Sequence, residues 1–405
     1  MSFLKHLANP ITLFAIASLF ISYWGMFFFA PPFAKILFCL LLWYALMLFP
    51  FKLFLHNDFS KTSNRWLLLL SVLSLVSIIR TVVNDDADMY AIGNKWLTLF
   101  GNEYTALLLI PPFFCVLSTI PQNVLYVKKL TFFYLLIGAF FLIFGYFFLS
   151  FTVIFLAAFY PYVGKNYRRL IYVAVIEAVL AAFMGSNPTR AMLLYLFFGL
   201  IAYYLVYKYR EIRITRMFCI ACIISPFFYF IPLLYYNSDG ETSFQEVQSY
   251  LVKQGTTQEM AQDTRTFLYE EMADDLEATN SWLWGKGAYA HYYSSYFDID
   301  VSGRYGRMLS EVPFLNMLMH GGFAYVTVYF ALILLAVYNG LWIGRNRFVQ
   351  CCAVIAAGWY FNSFVCDING ARYYHIAFFM LVGCCLSRRW LNMSEQDVIQ
   401  LFTQK

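Results

Sequence analysis

The chain has 405 residues, 61% of them hydrophobic and only 13% charged, with a mean hydropathy of +0.62. A soluble domain keeps roughly a quarter of its residues charged, so this composition excludes a water-soluble globular protein and points to one that crosses a bilayer many times. The net charge of +5 gives no ground for a nucleic-acid partner, because the basic residues are dispersed over connectors and form no single patch.

A bilayer core of about 30 Å needs roughly 20 apolar residues per helix. By that measure the predicted spans are 10–30, 34–55, 66–83, 104–120, 130–147, 149–163, 169–185, 190–207, 216–236, 312–339, 348–365 and 372–388. The predicted fold class is an all-α polytopic integral membrane protein of about 12 transmembrane helices, with one large loop between late spans. The chain divides into residues 1–236, carrying about nine spans, the loop 237–311, and residues 312–405, carrying about three spans and a short tail. The first hydrophobic stretch runs to about Ala30 without a small-residue cleavage motif, so no cleavable signal peptide is expected.

Charge orients the spans. Lys128-Lys129 before the 130–163 stretch and Lys165, Arg168 and Arg169 after it are all basic, so both flanks are expected in the cytoplasm and the stretch must cross an even number of times. A break between Gly145 and Ser150 gives two short spans. The remaining basic connectors then alternate to the cytoplasmic side. The acidic run Asp85-Asp86-Asp88 and the long loop fall outside, and both termini are cytoplasmic.

Between Asp239 and Arg307 the loop holds twelve acidic and five basic residues. A helix is predicted over Thr257–Ala278, where Met260, Phe267, Leu268, Met272 and Leu276 make an apolar stripe. It is expected to lie on the membrane surface. Gly285, Gly287 and Gly303 mark turns. Trp282, Trp284, Tyr292 and their aromatic neighbours to Phe297 suit either an interfacial belt or stacking on sugar faces.

Outer arginines run against the positive-inside trend. Arg190 opens a span within Gly185-Ser-Asn-Pro-Thr-Arg190, Arg265 lies in the loop helix, Arg304 and Arg307 precede span 312–339, and Arg372 opens the last span. A single one is explained by snorkelling to headgroups. Several converging on one cavity would bind phosphate oxygens through their planar forks. Glu311 stands at the mouth of span 312–339 as a carboxylate able to orient or deprotonate a hydroxyl, with His291 the next candidate for that task. His320 is expected to be packed and hydrogen-bonded. The nine cysteines all fall in or at the ends of spans, and no Asp, Glu, His or Cys cluster has ligand spacing, so neither a metal nor a cofactor is expected.

Thr189-Arg190 opening a span, Arg265 followed about twenty residues later by Gly285-Lys-Gly287, and Glu311-Val-Pro-Phe-Leu-Asn-Met-Leu-Met-His-Gly-Gly322 after the loop form a pattern. It resembles the O-antigen polymerase and ligase superfamily, the Wzy-type polymerases in particular. The resemblance implies glycosyl transfer from an undecaprenyl-diphosphate-linked oligosaccharide on the periplasmic face of the bacterial inner membrane, without metal. A chain-length regulator protein is implied as a further partner beside the lipid bilayer. The two arginines thought to hold the diphosphate in that family match Arg190 and Arg265. Ligases place a His-Asn pair where this chain has Glu311-Val312, which favours polymerase over transfer to lipid A core. A flippase of lipid-linked sugars is the alternative from a different class, and Glu177 is its only mid-span charge.

Overall fold

A computed structural model describes residues 11–12, 57–83, 103–142, 153–184, 190–231, 266–288, 290–292, 310–365 and 373–403. The expected spans 10–30 and 34–55 therefore lie outside the described residues, apart from a helical pair at Ile11-Thr12. The described chain is almost entirely helical: α1 Lys61–Val83, α2 Glu103–Leu117, α3 Pro121–Leu142, α4 Val153–Phe159, α5 Lys165–Met184, α6 Arg190–Tyr203, α7 Ile212–Tyr229, α8 Thr266–Ala278, α9 Pro313–Tyr338, α10 Arg347–Asn362, α11 Tyr373–Leu386, α12 Arg388–Asn392 and α13 Glu395–Thr403. Phe59 and Ser387 form an isolated β bridge.

α1 illustrates the local logic. Ser60 Oγ accepts the backbone N–H of Ser63 and so starts the helix. Leu68, Leu69, Val72, Leu75 and Ile79, at helical spacing, are all exposed, while Ser74, Ser77 and Thr81 are buried. That inverts the amphipathicity of a soluble helix and is the pattern of a helix that turns apolar side chains to lipid and small hydroxyl residues to its neighbours. The hydroxyls are used: Ser74 Oγ donates to Leu108 O of α2 at 2.7 Å, and Ser77 Oγ to His320 O of α9 at 2.6 Å.

Among the described residues two helices, Lys61–Thr81 and Pro313–Ile343, are long and apolar enough to cross a membrane, and a third span results if the bent pair Leu108–Leu117 and Pro121–Leu136 is counted as one. The chain bends by 118° between α2 and α3. Pro121, a favourable first helical residue, starts α3 well before the predicted 130, so Lys128 and Lys129 lie inside the helix and not on a connector. Lys128 Nζ instead donates to the carbonyls of Tyr162 and Phe402, at 3.3 and 2.9 Å. The predicted division of 130–163 falls between α3 and α4, and the proposed break itself lies outside the described residues.

The basic connectors gather at one end of the bundle. Arg216 donates to Leu341 O through Nε and a terminal nitrogen and lies 4.8 Å over the Trp342 ring. The Arg347 backbone N–H donates to Glu395, and the Arg389 backbone N–H to Asp58. α13 seals this end by inserting Phe402 among Phe159, Tyr162, Phe348 and Trp390. The 266–292 segment sits at the opposite end, and Leu268, Met272 and Leu276 belong to the same buried core as the long helices.

Candidate functional site

The site end is built around a broken helix. Pro313 starts α9, and Ser310 and Asn316 clasp its beginning: Asn316 Oδ1 accepts the Ser310 N–H at 2.7 Å, and its Nδ2 donates to Ser310 O at 2.9 Å. Nine residues after Pro313, Gly322 takes φ 64°, ψ −174°, which ends the helical ladder. A break inside a membrane leaves backbone groups that must find partners. The loop after α8 supplies them. Lys286 and Gly287 donate their N–H groups to the freed carbonyls of Met319 and His320, at 2.7 and 3.2 Å, while the freed N–H groups of Phe323 and Ala324 donate to Trp282 O and Leu283 O, at 2.8 and 3.1 Å.

This fit depends on glycine. A Cβ on Gly285, itself at φ +67°, would come within 2.6 Å of the Gly321 and Gly322 backbones, and one on Gly322 would strike Leu283 O. The Gly285-Lys-Gly287 turn and the Gly321-Gly322 pair, read separately in the sequence, are two halves of one joint. α1 closes it from the side: Ala288 donates to Thr81 Oγ1 at 2.6 Å, and His320 Nδ1 is bonded to Gly287 O at 3.0 Å. His320 is thus the packed, hydrogen-bonded residue expected.

α8 packs against α9 with its apolar face buried, so it does not lie on the membrane surface as expected. Tyr269 decides this. Its ring stacks on Phe230 and Phe314 and its hydroxyl donates to Phe364 O at 2.8 Å, contacts that only protein can supply. Of the predicted 257–278, residues 266–278 are described and helical. Asn280, at φ 50°, turns the chain out of the helix, and the Ser281 N–H returns to Leu276 O at 2.8 Å.

The candidate residues fall into three groups. Glu311 is half-buried just ahead of α9, and no hydrogen bond or ion pair engages its carboxylate among the described residues. Trp282, Trp284, His291 and Tyr292 collect at the other end of the half-helix Pro313–His320, roughly 12 Å away at 1.5 Å per residue. Glu311 and His291 are therefore alternatives as a base and not partners. Arg190 is the first residue of α6, while Arg265, Arg304, Arg307 and Arg372 lie outside the described residues. The side chain of Glu177, on α5, also lies outside them.

Within the aromatic group, Trp282 stacks on Phe323 at 5.4 Å, Tyr292 is 1% exposed, and Trp284 is 43% exposed. Trp284 alone of the three offers a ring to a ligand without rearrangement. Lys286, missed in the sequence as part of a turn, holds the group together. Its Nζ pairs with Asp275 at 2.8 Å and donates to His291 O at 2.7 Å. Burial, and then the Lys286 charge, push the His291 pKa down to about 4, so its imidazole is neutral near pH 7 and can accept a proton but cannot serve as a phosphate-binding cation. Burial, with Asp274 and Glu271 beside it, raises the Glu270 carboxyl. No three His, Cys, Asp or Glu side chains converge as metal ligands among the described residues. No protein-family model matches the chain, and no curated protein or solved structure matches it either.

Proposed function

We propose that the chain is an inner-membrane glycosyltransferase that polymerises undecaprenyl-diphosphate-linked repeat units of a surface polysaccharide, an O-antigen, capsule or exopolysaccharide. About twelve spans are inferred, with both termini cytoplasmic and the loop periplasmic. The reading is supported by one observation: the loop is built into the end of the bundle opposite the basic connectors through the joint at Gly322, and at the start of the same helix Glu311 is half-buried with no hydrogen bond or ion pair among the described residues. An idle insertion would have no need of that joint.

In the reaction an acceptor hydroxyl attacks C1 of the sugar on the carrier. The C1–O bond to undecaprenyl diphosphate breaks as the new glycosidic bond forms, and the hydroxyl proton passes to Glu311. Arg190 and Arg265 stabilise the charge developing on the departing diphosphate. Trp284 offers its exposed ring to a sugar face, and Arg304, Arg307 and Arg372 assist in binding. No metal is required.

Glu311→Gln is expected to abolish the polysaccharide ladder on a gel while lipid-linked donor still binds. Arg190→Lys, which keeps charge but loses the fork, should weaken donor binding itself. Wild-type ladders from both variants would sink the proposal. Loss of all glycan-bearing lipid A bands, with polymer left on the carrier, would instead indicate a ligase.

A further inference from the structure

A second polar site lies in the seam between α6, α10 and α11. Asn362, the last residue of α10, is fully buried, and neither its Oδ1 nor its Nδ2 has a hydrogen-bond partner among the described residues. Burying an amide without partners is costly, and such a group in a membrane bundle calls for a ligand. Its surroundings follow from register. Gly358, one turn earlier, packs on Phe198 of α6. Trp359 stacks on Phe378 of α11 at 4.2 Å and meets Tyr195 of α6 at 5.8 Å and His375 of α11 at 5.7 Å. Helical spacing puts Asn362 between the Gly358 and Trp359 directions and one turn further out. It therefore faces the first turns of α6, headed by Arg190, and of α11. Tyr195 and His375 add two more buried polar side chains to this seam.

From this we propose that Asn362 is a binding residue for a sugar hydroxyl of the lipid-linked substrate. The assignment rests on the polymerase reading. The amide offers one acceptor and one donor group together. A phosphate only accepts and would leave Oδ1 unmatched, whereas a hydroxyl accepts from Nδ2 and donates to Oδ1. The site is closed in this structure, so a sugar reaches it by parting the outer turns of α6 and α11 from α10.

The test uses the full chain in lipid nanodiscs, with undecaprenyl-diphosphate N-acetylglucosamine and bare undecaprenyl diphosphate as probes. Asn362→Leu keeps the volume and removes the unsatisfied amide, so its Tm should equal or exceed that of the wild type. Its affinity for the glycosylated carrier should fall about 10-fold while that for the bare carrier is unchanged. Wild-type affinity for both probes, with a raised Tm, would show a buried liability filled at most by water and overturn the assignment. Equal losses for both probes would overturn the choice of a hydroxyl in favour of the diphosphate. Failure of the wild type to bind either probe would overturn the polymerase reading itself. Should Asn362→Leu not fold, Asn362→Ala reads the same two affinities.

Discussion

Single side chains at the site end do one job each, and their chemistry limits which. Lys286 is committed to Asp275 and to the His291 carbonyl, so it is a brace and not a spare cation for phosphate. His291 carries a pH signature. Its pKa is near 6.5 in the unfolded chain and about 4 in the folded one, so the folded state binds fewer protons between those values. Its contribution is fully present above pH 6.5 and is lost as pH falls toward 4. After discounting for solvent screening this amounts to about 1–2 kcal/mol. The raised Glu270 carboxyl acts in the opposite sense and offsets part of the loss. Thermal unfolding between pH 4.5 and 7 should therefore be steeper in pH for the wild type than for His291→Gln. Parallel profiles would show that His291 is not held neutral by the fold.

Among the elements, the joint between the 281–288 loop and α9 matters most. Pro313–Ile343 is 31 residues long, far more than a bilayer needs, but the part after Gly322 is about 30 Å long and matches the hydrocarbon core. The break therefore sets where the membrane-crossing part of α9 starts, and the loop lies at that level. Gly322→Ala would force an L-residue into an extended positive-φ conformation that essentially only glycine adopts, costing about 1–3 kcal/mol, and drive its Cβ into Leu283 O as well. Release of α8 and the loop is expected, read as protease cleavage near Thr279 in otherwise folded protein. Gly164→Ala, where a Cβ meets nothing within 4 Å, is the control and should be silent. Resistance of Gly322→Ala to cleavage would show that the loop is held by α8 alone.

For the molecule as a whole, the two ends differ in charge and the flanks carry apolar residues such as Met217, Ile220, Ile224, Phe227 and Phe228 of α7 in exposed positions. The seven described cysteines are all buried, so none of these seven competes for a label. Cysteines placed at the exposed Thr279, Asn166 and Arg213 read sidedness directly. A membrane-impermeant maleimide should react from outside at 279 and not at 166 or 213. Reaction at 166 would mean that 130–163 crosses once, which would move Arg190 to the cytoplasm and remove it from the reaction.

Much of the helical architecture is legible in composition and hydrophobic runs, because a backbone inside lipid must satisfy itself and few structures do so. Helices α1, α9, α10 and α11 lie within a few residues of their predicted spans for that reason. Pattern also revealed the apolar stripe of α8, but amphipathicity does not say whether the stripe meets lipid or protein. Tyr269 and its partners Phe230 and Phe364, just past the ends of α7 and α10, and Phe314 on α9 decided that. The glycines of 285–287 and 321–322 read as turns, yet their interlocking depends on backbone groups some 35 residues apart meeting at one break, which no local pattern encodes. Lys128 read as a connector charge until two carbonyls from distant segments were found to receive it inside α3. Asn362 carried no signal at all. An amide at a helix end is ordinary in sequence and becomes costly only when helices close around it and the described residues offer it no partner.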